Sequence, residues 1–423
     1  MKVVSLRDSV HHERSYVKNR GATVEDKFGI IRERGRQRLP LGDVYRQLFN
    51  PALYLHSYAR LYRNDGAMTK GVTAETVDGM SLGKINGIIE RVRRESYRWS
   101  PVRRVYIPKP KGGGSRPLGI PTWSDKLLQD VVRAILEAYY EPRFSDQSHG
   151  FRPGRGCHTA LARVKKAWTG TKWFVEGDIR GCFNNIGHET LMGILGHDIT
   201  DGRFLRLIRN LLRAGYLEDW RLQPTLSGSP QGGTVSPILS NVYLDRLDQF
   251  VEQTLIPEYT RGKRRAANLE HERLGHRSRC CRKSGRVEEA KALEAARRTV
   301  PSCDTRDPNY RRLRYVRYAD DFLLGFAGPK SEAEAIRDRL SAFLAQELGL
   351  ELSAEKTLIT HASSEKAPTF RTSRRQFLRI SIWRSARRIQ GGKRAISQHF
   401  PAILGGTVLT QRIRMAKWIG NQE

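Results

Sequence analysis

Two aspartates stand side by side in LRYVRYADDFLLGF (313–326), between apolar runs of strand-forming residues. Successive side chains on a strand point to opposite faces, so Asp320 and Asp321 cannot both be solvent decoration of one face. At the tip of a hairpin such a pair can hold a divalent cation, or it can simply serve as turn residues. A third carboxylate, Asp178, lies near the end of the short apolar run KWFVEGDIRGCF (172–183). Adjacent antiparallel strands would bring all three together. Three carboxylates at one spot repel, more so when buried, and divalent cations relieve that repulsion. Oxygen-only ligands suit Mg2+ or Mn2+ rather than zinc. Two such ions about 4 Å apart serve phosphoryl transfer, one activating an attacking 3′-hydroxyl and the other steadying a leaving pyrophosphate. The plainer alternative is a turn pair plus an unrelated strand-end aspartate, and spacing alone leaves both open.

Phosphoryl transfer to a growing chain also requires a triphosphate to be neutralised. Lys109 and Arg116 flank KGGGS, a basic loop that could close over phosphates or remain a solvated turn. Phe183 lies five residues beyond Asp178. A ring there could press on a sugar and exclude a 2′-hydroxyl, or it could be a core aromatic. In SPQGG (229–233) the glycines would let backbone approach a substrate closely, or merely lead into a helix.

The elements that must position these residues follow from their periodicity. VRRVYIPKPKGGGSRPLGIPT (102–122) reads as a hairpin, and SDKLLQDVVRAILEAYYEPRF (124–144) as a helix capped by Ser124 and ended at Pro142. Helices are expected over 44–62, 83–97 and 188–197, and SGSPQGGTVSPILSNVYLDRLDQFVEQTL (227–255) as a glycine-rich turn feeding a long helix. Residues 331–349 carry a Ser331–Glu334 capping box and a closing Gly349, and 350–360 reads as a strand pair. Residues 261–313 form a charged insertion, a flexible or helical surface excursion. Strands do not alternate regularly with helices, so the expected class is α+β. Neither a phosphate-binding G-x-x-x-x-G-K-[ST] loop nor a dinucleotide-binding G-x-G-x-x-G is present.

The 423 residues include 75 Lys+Arg against 44 Asp+Glu, a formal net charge of +31. That excess points to a polyanionic partner, nucleic acid above all. No run approaches the roughly 18 apolar residues of a membrane helix, and the N-terminus has no apolar signal core. Five cysteines in this length do not make a secreted disulfide framework. The expected location is a reducing one, bacterial cytoplasm with nucleic acid, organellar import being the lesser alternative. His271, His276, Cys280, Cys281 and Cys303 have the wrong spacing for a zinc site.

Taken together, VYIPKPKGGGSRPLGIPT, HGFRPGRGCHTAL, VEGDIRGCFNNI, SGSPQGGTVSPILSNVYLDRLD, RYVRYADDFLLGF and LGLELSAEKTLITH resemble successive blocks of a reverse transcriptase. More narrowly they resemble the bacterial and organellar group II intron-encoded type, in order from about residue 44 to about residue 361. The resemblance implies a right-hand polymerase fold with fingers and palm. It implies an RNA-directed DNA polymerase that takes two Mg2+ ions (or Mn2+), deoxynucleoside triphosphates, an RNA template or intron RNA, and a DNA primer or target. It makes Asp178, Asp320 and Asp321 the metal-binding triad, helped by the backbone carbonyl of Ile179. Lys109 and Arg116 match triphosphate contacts, Phe183 the sugar-discriminating position, Gln231 the loop near the nascent base pair, and Lys356 a lysine near the phosphates. A maturase role in splicing is implied in the same way.

The expected organisation is a helical N-terminal extension over 1–95, fingers and palm over 96–366 and an aberrant, truncated thumb-like tail over 367–423. In that tail QFLRISIWRSARRIQGGKRAISQHF departs from the family pattern, with Arg379 where a glycine is usual, as a frameshift in a decaying element would produce. Asn184 and Gly187 stand where the family usually has aspartates. The alternatives are an RNA-binding maturase with weak or no polymerase activity, an inactive fragment, and a defence-associated bacterial reverse transcriptase. The oligomeric state is not legible.

Overall fold

The computed structural model describes residues 23–64, 66–108, 115–218, 221–223, 228 and 232–362. Lys109, Gln231 and the tail over 367–423 lie outside the described residues, as does the side chain of Arg116.

Three helices open the described chain: α1 (Val24–Arg36), α2 (Pro51–Tyr62) and α3 (Leu82–Arg93). Each presents an apolar stripe to the long helix α4 (Trp123–Tyr140), and Ile31, Tyr54, Ile88 and Leu127 enter one continuous core. α1 meets α4 so closely that a Cβ on Gly35 would lie 2.0 Å from the Tyr139 carbonyl oxygen. The cap of α4 is Thr122 rather than Ser124. Thr122 Oγ1 accepts from the Asp125 backbone N–H and donates to the Asp125 carboxylate, a closed exchange that Ser124 cannot make from inside the first turn.

The first sheet has the order β2-β1-β4-β5, where β1 is Val102–Pro108, β2 Ser115–Ile120, β4 Tyr216–Glu218 and β5 Arg221–Gln223. Its β1–β2 pair is the expected antiparallel hairpin. The second sheet is antiparallel throughout, in the order β6-β7-β3-β8, with β3 at Trp173–Asp178, β6 at Arg312–Tyr318, β7 at Asp321–Ala327 and β8 at Leu358–His361. The architecture is α+β.

Both faces of the second sheet are covered. Val175, Leu313, Tyr315 and Leu324 pack into the main core with α9 (Ser236–Phe250) and α12 (Lys330–Leu348). On the other face Phe174, Val316 and Leu323 meet Ala160, Val164 and Trp168 from the region of α5 (Cys157–Ala167). Between the sheets run the short turn α6 (Cys182–Asn185) and helices α7 (His188–Asp198) and α8 (Gly202–Leu212).

Two expectations around α12 change. The helix starts at Lys330 behind an extended Pro329, so Ser331 lies inside the first turn; Glu334 pairs with Lys330 (3.0 Å) instead of reaching back to a cap. The closing Gly349 does adopt the left-handed conformation, φ 59°. Residues 350–360 form no strand pair: Leu352 makes one isolated bridge to Ile179 and only β8 is regular. β3 ends at Asp178 and the chain turns at Gly181 (φ 56°), leaving no longer partner there.

The charged insertion is helical. α10 (Leu269–Lys283) and α11 (Val287–Thr299) form a hairpin turning at Gly285 (φ 74°). Ser278, Cys281 and Ala290 are buried between them, and Ser278 Oγ donates to the Ala290 carbonyl at 3.0 Å. Among the described residues no helix is long and apolar enough to cross a membrane.

Candidate active site

The register of the second sheet brings two of the carboxylates together. Asp178, the last residue of β3, stands directly opposite Asp321, the first of β7. Cross-strand partners share a face, so both carboxylates arise on the same side of the sheet. Asp321 also pairs with Tyr318 across the β6–β7 hairpin, leaving Ala319 and Asp320 as its two-residue tip. Ala319 has φ 56°, the positive value that tight hairpins require. The preceding pair, Gly177 opposite Phe322, explains the glycine in VEGD: a Cβ on Gly177 would lie 2.1 Å from the Phe322 ring.

Beneath this corner sits the Cys182 thiol, pushed up to about 12 by burial and then by the negative field of Asp320, with a smaller contribution from Asp178. One buried thiol therefore lies near both the hairpin tip and the end of β3. Lys356 Nζ lies 2.8 Å from Asp178 Oδ2 and supplies positive charge at the carboxylate corner. The main chain of Asp178 is anchored too, its carbonyl accepting from the Ser353 N–H at 2.8 Å while the Arg180 N–H donates to Glu351 at 2.9 Å. These two bonds flank Ile179, whose own carbonyl takes no part in them.

Among the described residues no group of three His, Cys, Asp or Glu side chains is already gathered around a point as a metal cage. The donor types nevertheless fit hard divalent cations. Two carboxylates face each other across strands, a third is adjacent, and one of them already attracts an ammonium group. Rotation about the last torsion of Asp is soft.

The remaining predicted residues divide. Phe183 is half-buried on α6, its ring edge-on to Phe151 with centroids 6.2 Å apart and planes at 78°. Backbone conformation matters at Phe151, which sits at φ 56°. Two glycines of the glycine-rich segment make close backbone contacts: a Cβ on Gly228 (φ 92°) would lie 2.8 Å from the Phe183 carbonyl oxygen, and one on Gly232 (φ 107°) 2.4 Å from that of Gly119 on β2. Gly228 thus packs on α6 beside Phe183, and Gly232 on the first sheet.

Sequence reasoning missed Phe151, and it missed Arg317, Asp248 and Asn241. Arg317 lies on β6 with 0% exposure, and its Nε and Nη2 donate to Asp248 at 2.8 and 2.6 Å. Tyr315 Oη donates to the same carboxylate at 2.7 Å. The available signal was alternation: Leu313, Tyr315 and Arg317 share the core-facing side of β6, where an unpaired arginine would be prohibitive.

Comparisons with known proteins bear on the family. The reverse transcriptase (RNA-dependent DNA polymerase) family matches residues 107–382. The group II intron-encoded protein LtrA of Lactococcus lactis subsp. cremoris is 46% identical over 329 residues, covering 76% of this chain and 54% of that protein. An uncharacterized 91 kDa protein in the cob intron of Schizosaccharomyces pombe is 38% identical over 75% of this chain and 39% of its own length. The putative COX1/OXI3 intron 1 protein of Saccharomyces cerevisiae is 36% identical over 75% of this chain and 38% of its own length. The chain spans about half the length, or less, of these curated relatives. On the family match over most of its described core, this chain belongs to the reverse transcriptase (RNA-dependent DNA polymerase) family.

Proposed function

We propose that this chain is an RNA-directed DNA polymerase of the group II intron type, adding deoxynucleotides to a primer 3′-hydroxyl on an RNA template. The observation that carries the reading is the register of Asp178 against Asp321 with Asp320 at the adjoining turn. In this reading the second sheet is the palm and the first belongs to the fingers.

Asp178, Asp320 and Asp321, with the Ile179 carbonyl, would hold two divalent cations, Mg2+ or Mn2+. When bound, these supply the charge that activates the attacking hydroxyl and stabilises the leaving pyrophosphate. Lys356, 54% exposed, would swing from Asp178 to the incoming phosphates. Phe183, braced by Phe151, would press on the nucleotide sugar and exclude a 2′-hydroxyl. Lys109 and Arg116 would meet the triphosphate and Gln231 the nascent base pair. The net charge of +31, with exposed arginines such as Arg273 and Arg277 on the α10–α11 hairpin, favours intron-RNA binding as well, in keeping with a maturase role.

The test is primer extension on poly(rA)/oligo(dT) with dTTP and Mg2+, beside an Asp320→Ala/Asp321→Ala control. Extension that falls more than about 1,000-fold in the control supports the carboxylate site. No extension from folded, RNA-binding wild type would remove the polymerase reading and leave an RNA-binding maturase.

A further inference from the structure

The guanidinium of Arg317 does more than pair with Asp248. Its Nη1 donates to two further oxygens, Asn241 Oδ1 at 3.1 Å and the Ala319 carbonyl at 2.9 Å. The Ala319 carbonyl and the Asp320 N–H belong to one planar peptide. Fixing that carbonyl fixes the plane, hence the direction in which Asp320 leaves the turn. Support is needed there, because Ala319 occupies a left-handed conformation that alanine does not favour.

Asn241 on α9 faces both ways. Its side-chain carbonyl accepts from Arg317, and its Nδ2 donates to the Gly150 carbonyl at 2.9 Å. By the same planarity that bond orients the Gly150–Phe151 peptide, and Phe151 braces Phe183. Gly150 itself packs against Ala319: a Cβ on Gly150 would lie 2.2 Å from the Ala319 nitrogen. The Ser148–Arg317 bridge ties the same loop to β6, with the His149 N–H donating to the Arg317 carbonyl at 2.9 Å.

An ion pair with both side chains at 0% exposure is a poor way to gain stability, since apolar residues of similar volume usually serve as well or better. What arginine offers is a rigid planar fork that sets several acceptors at once. We infer that Arg317, held by Asp248 and Asn241, is a positioning residue: it aims Asp320 at the metal site and, through Asn241 and Gly150, couples that aim to the Phe151–Phe183 gate. This deepens the polymerase reading and rests on it for the gate. The aim of Asp320 requires only that the carboxylates bind a divalent cation.

The test uses the full chain and two variants, Arg317→Lys and Asn241→Ala. Mn2+ binding is followed by the loss of free-ion EPR signal, and dNTP-over-rNTP preference by single-nucleotide primer extension. Lysine cannot span Asp248, Asn241 and Ala319 together. Asn241→Ala leaves the buried ion pair in place and removes the link to Gly150, so it still tests the Asn241 support and the coupling should Arg317→Lys fail to fold. Weakening of Mn2+ binding by about tenfold in a folded variant is expected, the size of effect seen when groups that orient metal ligands are removed. In Asn241→Ala a several-fold fall in dNTP preference should accompany it.

A merely structural role would reduce the folded fraction and leave both quantities unchanged in the molecules that remain. Mn2+ affinity within twofold of wild type in folded Arg317→Lys overturns the role at Asp320, and the same result in folded Asn241→Ala removes Asn241 from that aim. An unchanged dNTP preference in that variant overturns the coupling to the gate. Wild type that binds Mn2+ yet extends no primer sinks the polymerase reading, while the Mn2+ titration, which needs no turnover, still decides the aim of Asp320.

Discussion

Arg317 in the palm is fully buried with its charge paired, whereas Arg273 and Arg277 on the α10–α11 hairpin stand exposed. Both regions are arginine-bearing, yet the physics differs. In the palm each guanidinium bond carries positional information, because the low dielectric of the core makes a misplaced charge intolerable. On the hairpin the same side chain is screened and interchangeable with its neighbours. The palm therefore concentrates geometry, and the hairpin concentrates charge.

The sharpest way to break this comparison is to remove one partner of the buried pair. Asp248→Ala leaves Arg317 charged, buried and unpaired, and strands the Tyr315 hydroxyl as well. The expected loss is about 3–5 kcal/mol of unfolding free energy, read by urea denaturation. A loss below about 1 kcal/mol would mean that water reaches the pair, and the distinction between the two regions would fail. Next in size is the gate. Phe183→Ala should lower discrimination against ribonucleotides by tens of fold, about 1–3 kcal/mol, in single-nucleotide incorporation. If the ratio holds, Phe183 is a packing residue with Phe151 and nothing more.

These residues also show what could be read in the sequence. Alternation places Asp320 and Asp321 at a hairpin tip, and the resemblance to reverse transcriptases names Asp178 as their partner. The register that sets Asp178 opposite Asp321 is a long-range pairing that neither run specifies alone. Arg317 and Asp248 lie 69 residues apart, so an arginine in an apolar strand could be flagged but its acceptor could not. At the start of α4 two candidate caps lie within three residues, and the choice fell to Thr122 through its reciprocal bond with Asp125. The insertion was harder still: its helices bury few apolar side chains, and the stripe that identifies a helix against a core is nearly absent there.

A third prediction concerns proton uptake in the palm. Burial, with Arg155, Arg152 and Arg163 nearby and Asp146 opposing them, lowers His149 to about 4, while an unfolded histidine titrates near 6.5. Between those values the unfolded chain takes up a proton that the folded chain refuses. Stability from this group is full above pH 6.5 and is lost as pH falls toward 4. Asp245 acts with the opposite sign: burial and Asp248 raise it to about 6, so the folded chain binds the extra proton between about 4 and 6. The two slopes partly cancel in wild type. His149→Gln removes the His149 slope and leaves the others, so the variant should gain about 2 kcal/mol on wild type between pH 6.5 and pH 4.5 in urea midpoints. A constant difference across that range would show that His149 is not the group refusing the proton.

The smallest expected effect on the fold comes from the hairpin. Its base is closed by the Ala267–Cys303 antiparallel bridge, and the Asn268 N–H donates to the Ser302 carbonyl at 3.2 Å. The two ends therefore already sit at hairpin distance, and a short Gly-containing turn can replace 269–301 without moving either. Excision should change unfolding free energy by no more than about 1 kcal/mol, because the buried side chains of α10 and α11 pack largely against each other. RNA binding should respond instead. Each phosphate of single-stranded RNA that the shortened chain no longer neutralises flattens the slope of log K against log salt by about 0.7. A shallower slope with an intact fold would assign the hairpin's charge to RNA. An unchanged slope would make it a solvated face, and a chain that unfolds on excision would place the hairpin inside the cooperative core, with the palm and not apart from it.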